Sequence, residues 1–140
     1  MQGLLIADEN LESRRQMADL FIEAGYNVMV TNSAAAALHG IIKKTAQVIL
    51  LGDQLEDLTA GELVPLLKEC NRDLTIILVG SDFPLPLIRR LREEGIFYHA
   101  FRPEGPDSCE EIRQVVQCAF SNLAKGERKN TPVTAQSSNQ

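Results

Sequence analysis

Cysteine and histidine are scarce in this chain, and tryptophan is absent. The three cysteines, Cys70, Cys109 and Cys118, are widely spaced and form no CxxC pair. An odd set with this spacing is typical of ordinary thiols on or near packed helix faces. His39 and His99 are isolated in the sequence. Neither residue type therefore predicts a metal or redox centre.

Excess basic charge and long hydrophobic runs are also missing. The net charge is −5, from 14 Lys and Arg against 19 Asp and Glu, which disfavours nonspecific binding of nucleic acid. No apolar run approaches the roughly 20 residues that cross a membrane. The N-terminal MQGLLIADEN has neither a basic region nor a long apolar core. We therefore expect a cytoplasmic protein that binds no membrane.

The 140 residues, 44% of them hydrophobic, suffice for one globular domain with its own core. Short apolar runs bounded by turn-forming residues predict strands covered on both faces. These runs are 3–8, 27–31, 47–52, 74–80 and 96–101. Amphipathic helices are predicted between and after them, and Asn10 and Ser33 can cap the first two. The order βαβαβαβαβα predicts an α/β fold with a doubly wound, five-stranded parallel sheet.

Apolar stripes on the predicted helices identify side chains expected to face the core. They include Ala24 on the first helix, Ile42 on the second and Leu66 on the third. Beyond the fifth helix the composition becomes polar, with Thr, Gln, Ser and Asn, and cannot bury enough apolar surface to order itself. We predict a folded domain over 1–124 and a disordered tail or linker over 125–140 that leads to another module.

Residues that follow the predicted strands are the candidate site, because parallel α/β sheets bind ligands outside the carboxyl ends of their strands. Asp8 and Glu9 follow the first strand. Adjacent carboxylates there resist joint ionisation, and a bound Mg²⁺ would relieve that cost. Two other interpretations stay open. Asp8 is hydrogen-bonded near the first helix while Glu9 is solvated, or Arg102, after the fifth strand, neutralises the pair.

Several segments resemble, in order, parts of the receiver domain of bacterial two-component response regulators. LLIADEN resembles the first strand with its acidic pair, and QVILLGDQLEDLTAGEL resembles the third strand with the phosphoacceptor loop. LTIILVGSD and EGIFYHAFRPEG resemble the fourth and fifth strands. The resemblance covers the chain from Gly3 to the vicinity of Ala124. It implies the flavodoxin-like (βα)5 receiver fold and a role in phosphorelay signal transduction.

The chain departs from the receiver pattern at positions that matter for phosphorylation. The phosphoacceptor aspartate aligns with Gly52, and the switch Ser or Thr aligns with Val79, whose side chain cannot hydrogen-bond a phosphoryl oxygen. The family's lysine aligns with Arg102, which keeps the charge but changes the geometry. The mobile aromatic aligns with His99. The resemblance therefore implies a degenerate phosphorylation pocket made of Asp8, Glu9, Gly52, Asp53, Val79 and Arg102.

We predict an atypical receiver, or pseudo-receiver, that is not an enzyme and acts as a phosphorylation-independent protein-interaction module. In the family, the fourth helix, fifth strand and fifth helix form a surface for dimerisation or output contacts. Here that surface carries Arg89, Arg92, His99, Glu110 and Arg113. Opposite charges on one face suit a two-fold contact between copies, and a histidine kinase or an output module is the other expected partner. The same charges also fit a solvated surface that adds little stability.

The alternative prediction is a working receiver that uses Asp53. A kink at Gly52 would swing Asp53 into the pocket, where it takes a phosphoryl group from a histidine kinase with Mg²⁺ on Asp8 and Glu9. Without that role, Asp53 is a partly exposed loop acid. An enzyme or nucleotide binder on the same scaffold is disfavoured, because no GxGxxG or GxxxxGK[ST] loop follows a predicted strand and no Ser-His-Asp set lies at the strand ends.

Overall fold

The structure is a computed structural model that describes residues 2–104 and 108–129. Within these residues, strands and helices alternate along the chain. Their bounds are β1 (Gly3–Ala7), α1 (Leu11–Glu23), β2 (Asn27–Thr31), α2 (Ala34–Ile42), β3 (Val48–Gly52), α3 (Ala60–Cys70), β4 (Thr75–Val79), α4 (Leu85–Glu93), β5 (Tyr98–Ala100) and α5 (Cys109–Lys129). The predicted order of elements is confirmed.

The strands form one sheet in the order β2-β1-β3-β4-β5, and all neighbouring strands are parallel. Side chains of α1 and α5 share one hydrophobic cluster with alternate strand residues, and side chains of α2, α3 and α4 share the other. The sheet is therefore doubly wound, as predicted. The strand order reverses between β1 and β3, so ligands are expected at the carboxyl ends of these two strands.

The two central strands, β1 and β3, are buried along their whole length. Helices cover both faces of the sheet, so successive side chains enter opposite clusters: Leu4 and Ile6 face α1 and α5, whereas Leu5 and Ala7 face the other helices. Because the cover extends to the strand end, the next residue, Asp8, is buried as well. The fold thus places a carboxylate where water has little access.

Side-chain caps fix the starts of α1 and α2. Asn10 and Ser33 accept hydrogen bonds from backbone amides in the first turns of these helices, as predicted. Sequence analysis did not foresee a second cap on α2, the Asp57 carboxylate. It accepts from the Ala34 amide at 2.7 Å and from the Ala35 amide at 3.2 Å. The bond from Ala34 is the main reason that the pKa of Asp57 lies below its usual value. The loop after β3 is thereby tied to α2.

Three side chains predicted to lie in the core are exposed: Ala24, Ile42 and Leu66. Ala24 is the C-cap of α1 and Ile42 is the last residue of α2, so both lie where the helix leaves the sheet. Leu66 lies next to the buried Leu67 but about 100° further around α3. On these helices, the stripe of buried side chains is therefore narrower than the stripe of apolar residues in the sequence.

Helix α5 continues to Lys129, past residue 124, where we predicted the folded domain to end. The segment KGERK contains Lys, Glu and Arg, which are good helix formers. The rest of the predicted tail, 130–140, lies outside the described residues, so the domain boundary stays a prediction. In the described part of the chain, no helix is both long and apolar enough to cross a membrane.

Candidate functional site

The carboxyl ends of β1, β3 and β5 bring Asp8, Asp53 and Arg102 together. Arg102 Nη2 donates to Asp8 Oδ2 at 3.1 Å and lies 3.5 Å from Asp53 Oδ1. The other oxygen of Asp8 accepts from the Asn10 amide at 3.0 Å. The Asp8 side chain is 1% exposed, the Arg102 side chain 30% and the Asp53 side chain 42%. The buried carboxylate is therefore neutralised by a guanidinium that also reaches a half-exposed second carboxylate.

Glu9, the second member of the acidic pair, is exposed. Its amide donates to the Gln54 carbonyl at 3.1 Å, which joins the loop after β1 to the loop after β3. Within residues 2–104 and 108–129, no group of three His, Cys, Asp or Glu side chains is placed to hold a metal ion. Both Asp8 oxygens already accept hydrogen bonds, so a cation would compete with Arg102 for the same carboxylate. The predicted ligands Asp8 and Glu9 do not fit Mg²⁺ in this arrangement.

Gly52, where the receiver pattern has its phosphoacceptor, is covered by the Asp8 side chain. A methyl group on Gly52 would lie 2.6 Å from Asp8 Cγ and 2.7 Å from Asp8 Oδ2. These distances are well inside van der Waals contact, so a side chain at residue 52 requires Asp8 to move. The Asp8 carboxylate thus fills the space in which a phosphoacceptor side chain would begin.

Val79 and His99 complete the predicted set, and Val79 lies opposite Gly52 in the register of β3 and β4. Val79 is fully buried in the cluster beneath α1 and α5. His99 Nε2 lies 2.8 Å from the Gly80 carbonyl, and its ring meets Phe83 edge to face at a centroid distance of 5.3 Å. Sequence analysis missed Phe83, which packs so closely on Gly80 that a methyl group there would lie 2.9 Å from Phe83 Cε2. The Phe83-Pro84 pair after β4 is the sequence feature that could have drawn attention to this residue.

The solved structures that share this architecture include receiver domains of response regulators. The CheY-like receiver domain protein from Methanospirillum hungatei gives a TM-score of 0.75 at 19% identity, over 87% of this chain and 98% of that chain. The beryllofluoride-activated NtrC4 receiver domain dimer gives 0.76 at 17% identity, over 87% and 98%. This chain has the receiver fold.

Other comparisons agree with the receiver fold and mark its limits. A response regulator from Burkholderia pseudomallei, with a phosphorylated aspartic acid and a calcium ion, gives a TM-score of 0.73 at 17% identity, over 94% of this chain and 76% of that chain. NtrC of Rhizobium meliloti, a DNA-binding transcriptional regulator, is 22% identical over 100 residues. The match covers 71% of this chain but only 21% of NtrC. No family model matches. Identities this low establish the fold alone.

The receiver surface made by α4, β5 and α5 was predicted to carry the partner contact. Four of the five predicted residues are exposed: Arg89, Arg92, Glu110 and Arg113. The fifth, His99, is half-buried by its contacts to Gly80 and Phe83. Sequence analysis did not recognise that Phe97, Tyr98 and Phe101 are exposed on the same surface. Arg113 lies 3.7 Å from Glu110 on the same helix, so these two charges are matched within one chain.

Because Asp8 is buried, its effect on how stability changes with pH can be used to test this geometry. Desolvation raises the pKa of Asp8, although the Asn10 amide and Arg102 act in the opposite direction. A carboxyl group that holds its proton more tightly in the folded protein destabilises the fold as pH rises through its unfolded pKa, about 4, towards its folded pKa. Asp8→Asn removes this penalty. We expect the free energy of unfolding of the variant, relative to the wild type, to increase from pH 4 to pH 7 in urea titrations.

Asp19→Asn is the matched control, because Asp19 is exposed on α1. Its stability should follow that of the wild type across the same pH range. The slope with pH is the readout, because Asn at residue 8 also loses the ion pair with Arg102 and shifts the whole curve. A difference between Asp8→Asn and wild type that stayed constant or shrank with pH would contradict the raised pKa.

Proposed function

We propose that this chain is a receiver-fold module of a two-component signalling protein that works through protein contacts without being phosphorylated. The observation that carries the proposal is the placement of Asp8 over Gly52. Residue 52 has no nucleophile, and the space for one is filled by a carboxylate that Arg102 holds in place. A fixed ion pair therefore stands where a working receiver needs an exposed acceptor. In this proposal the chain is not an enzyme.

The residues that would read out a phosphoryl group support the same proposal. A hydroxyl at the end of β4 would have to reach the phosphoryl oxygens, but Val79 offers only a buried apolar side chain. The next residue, Gly80, is covered by Phe83, and its carbonyl oxygen contacts His99. The loop after β4 is thus anchored by contacts that need no phosphate.

Asp53 supports a second candidate function, that of a working phosphoacceptor. Its carboxylate is 42% exposed and lies 3.5 Å from Arg102. It is thus accessible to a phosphodonor and adjacent to a cation that would stabilise the transferred group. The geometry at Asp8 weighs against this candidate, because Mg²⁺ bound by Asp8 and Glu9 would have to displace Arg102.

Labelling with a small phosphodonor tests the proposal. The full chain is incubated with acetyl phosphate and Mg²⁺ and analysed by intact mass spectrometry, beside Asp53→Asn. Amide NMR spectra are recorded with beryllofluoride, which mimics an acyl phosphate. We expect no phosphoryl adduct and no beryllofluoride-dependent shifts at Asp53, Val79 or His99. An adduct on the wild type that is lost in Asp53→Asn would establish the second candidate in place of the first.

The surface of α4, β5 and α5 is the proposed site of partner contact. Three exposed aromatic side chains in or next to β5, Phe97, Tyr98 and Phe101, give it the apolar part of an interface, and exposed charges on both helices give it the polar part. The proposed partners are a second copy of this chain, a histidine kinase or an output module. The beryllofluoride-activated NtrC4 receiver domain, which has the same fold, is a dimer, so a second copy of this chain is the first partner to test.

A further inference from the structure

A cavity lies between the first turn of α3 and the start of α4, beside the carboxyl ends of β3 and β4. Its volume is about 340 Å³. Its lining includes the charged residues Asp53, Glu62, Asp82 and Arg90 and the apolar residues Phe83 and Leu87. It shares α4 with the surface of α4, β5 and α5, but none of the five residues predicted for that surface lines it. It is also distinct from the ion pair of Asp8 and Arg102, although Asp53, which lies near Arg102, lines it.

Close packing of α3 and α4 fixes the shape of this cavity. Arg90 Nη2 donates to the Gly61 carbonyl at 2.9 Å. A methyl group on Gly61 would lie 3.0 Å from Arg90 Nη2 and 3.1 Å from Leu87 Cδ1. Phe83 is held from behind by Gly80 and His99. The apolar walls are therefore positioned before any partner arrives, which reduces the entropic cost of binding.

Negative charge dominates the cavity. Asp53, Glu62 and Asp82 contribute carboxylates, of which Asp53 already lies 3.5 Å from Arg102. Arg90 contributes the cation of the lining, and its Nη2 is bound to the Gly61 carbonyl. Glu62 accepts from the Thr59 amide at 3.0 Å as part of the α3 capping box, yet it stays exposed and charged. Asp82 is exposed as well. A cavity with acidic and apolar walls favours a ligand in which a positive charge lies next to an apolar group.

We propose that this cavity receives an arginine side chain of a partner protein, with an adjacent apolar residue of the partner covering Leu87 and Pro84. A planar guanidinium can donate hydrogen bonds to two carboxylates and can also lie against the ring of Phe83. The inference rests on the proposed function, because it names the chemistry of the partner of an interaction module. To the contact proposed on α4, β5 and α5 it adds a second one, on the α3–α4 side of the strand ends.

An acidic partner is the competing occupant. Pro84 is the N-cap of α4, and no side chain within the described residues caps this N-terminus. Its first amides would favour an anion. The surrounding carboxylates oppose that, so the two occupants make opposite predictions for charged probes.

The test is an NMR titration of the full chain with three dipeptides, through the millimolar range expected for such small ligands. The probes are N-acetyl-arginyl-leucinamide, its neutral citrulline counterpart and its glutamyl counterpart. We expect the arginyl probe alone to shift the amides of Asp53, Gly61, Glu62, Asp82 and Leu87. Asp82→Asn should weaken its apparent affinity about threefold, as expected for a partly exposed ion pair. Asp19→Asn, on α1, should leave the affinity unchanged.

Three results would each overturn the inference: no shifts in this region, equal shifts with the citrulline probe, or stronger binding of the glutamyl probe. Shifts spread evenly over exposed acids such as Asp19 would also count against it, because they indicate nonspecific attraction to an acidic protein. Phosphoryl labelling is measured without these probes. A working phosphoacceptor would therefore overturn the proposed function while the titration still reports whether the cavity binds arginine.

Discussion

Gly52→Asp, the change that restores a carboxylate at the receiver's phosphoacceptor position, is expected to lower the free energy of unfolding by about 3 kcal/mol. The new Cβ would lie 2.6 Å from Asp8 Cγ, and Asp8 is itself held by Arg102 and by the Asn10 amide. A second carboxylate beside it adds like-charge repulsion in a buried setting. Gly52→Ala isolates the steric part, about 1–3 kcal/mol. Urea denaturation monitored by circular dichroism measures both.

A double-mutant cycle with Asp8→Ala identifies the cause. If the Asp8 carboxylate is the obstacle, Gly52→Ala should cost little in the Asp8→Ala background, and the coupling energy should be about 1–2 kcal/mol. Gly40→Ala is the matched control. Gly40 lies in α2, where a methyl group would be 3.6 Å from Thr45 Oγ1, an ordinary contact. That variant should be as stable as the wild type or up to about 1 kcal/mol more stable. An equal cost of Gly52→Ala in both backgrounds would sink the steric explanation.

Arg102→Met is the second change with a large expected effect, a loss of about 2 kcal/mol at pH 7. It leaves the carboxylate of Asp8, which is 1% exposed, without its cation. The loss is smaller than for a fully buried pair, because Arg102 is 30% exposed and water can partly replace it. The loss should shrink towards pH 3, where Asp8 is protonated in both folded and unfolded chains. Urea titrations at pH 3, 5 and 7 would show the trend.

Arg92→Met controls for the removal of an arginine as such. Arg92 is exposed on α4, so its loss should change the free energy of unfolding by less than about 0.5 kcal/mol at any of these pH values. If Arg102→Met were no more destabilising than Arg92→Met at pH 7, the ion pair with Asp8 would carry no net stability. Arg102 would then contribute no more to the free energy of unfolding than an exposed arginine does.

The fold could be predicted from sequence because its signals are local. Apolar runs of the right length, bounded by turn formers, identify buried parallel strands, and the helix caps Asn10 and Ser33 lie where the pattern begins. The errors lie at Ala24, Ile42 and Leu66, where an apolar residue occurs on a helix but the sheet does not reach it. Local periodicity reports which residues are apolar, and only the tertiary arrangement decides which of them are covered.

The site could be predicted only in part. Because parallel strands end at one edge of the sheet, Asp8 and Arg102 were candidates for contact despite their distance in sequence, and Arg102 was one of several interpretations for the acidic pair. The burial of Asp8 beside an exposed Glu9 depends on which side chain the sheet covers. Likewise, the contact of Phe83 with Gly80 and His99 depends on the path of the loop after β4. No local pattern encodes either one.

The Asp8 carboxylate seated over Gly52 has a consequence for what such a domain can communicate. A switch carries information because it has two positions, and the position changes when something happens to it. In the proposed role the acceptor space is filled from within the chain, so the domain would have one position at that site. In the proposed role it can report that it is present, but it cannot report an event. Its influence on partners would then follow its concentration in the cell, so synthesis and degradation take the place of a chemical mark.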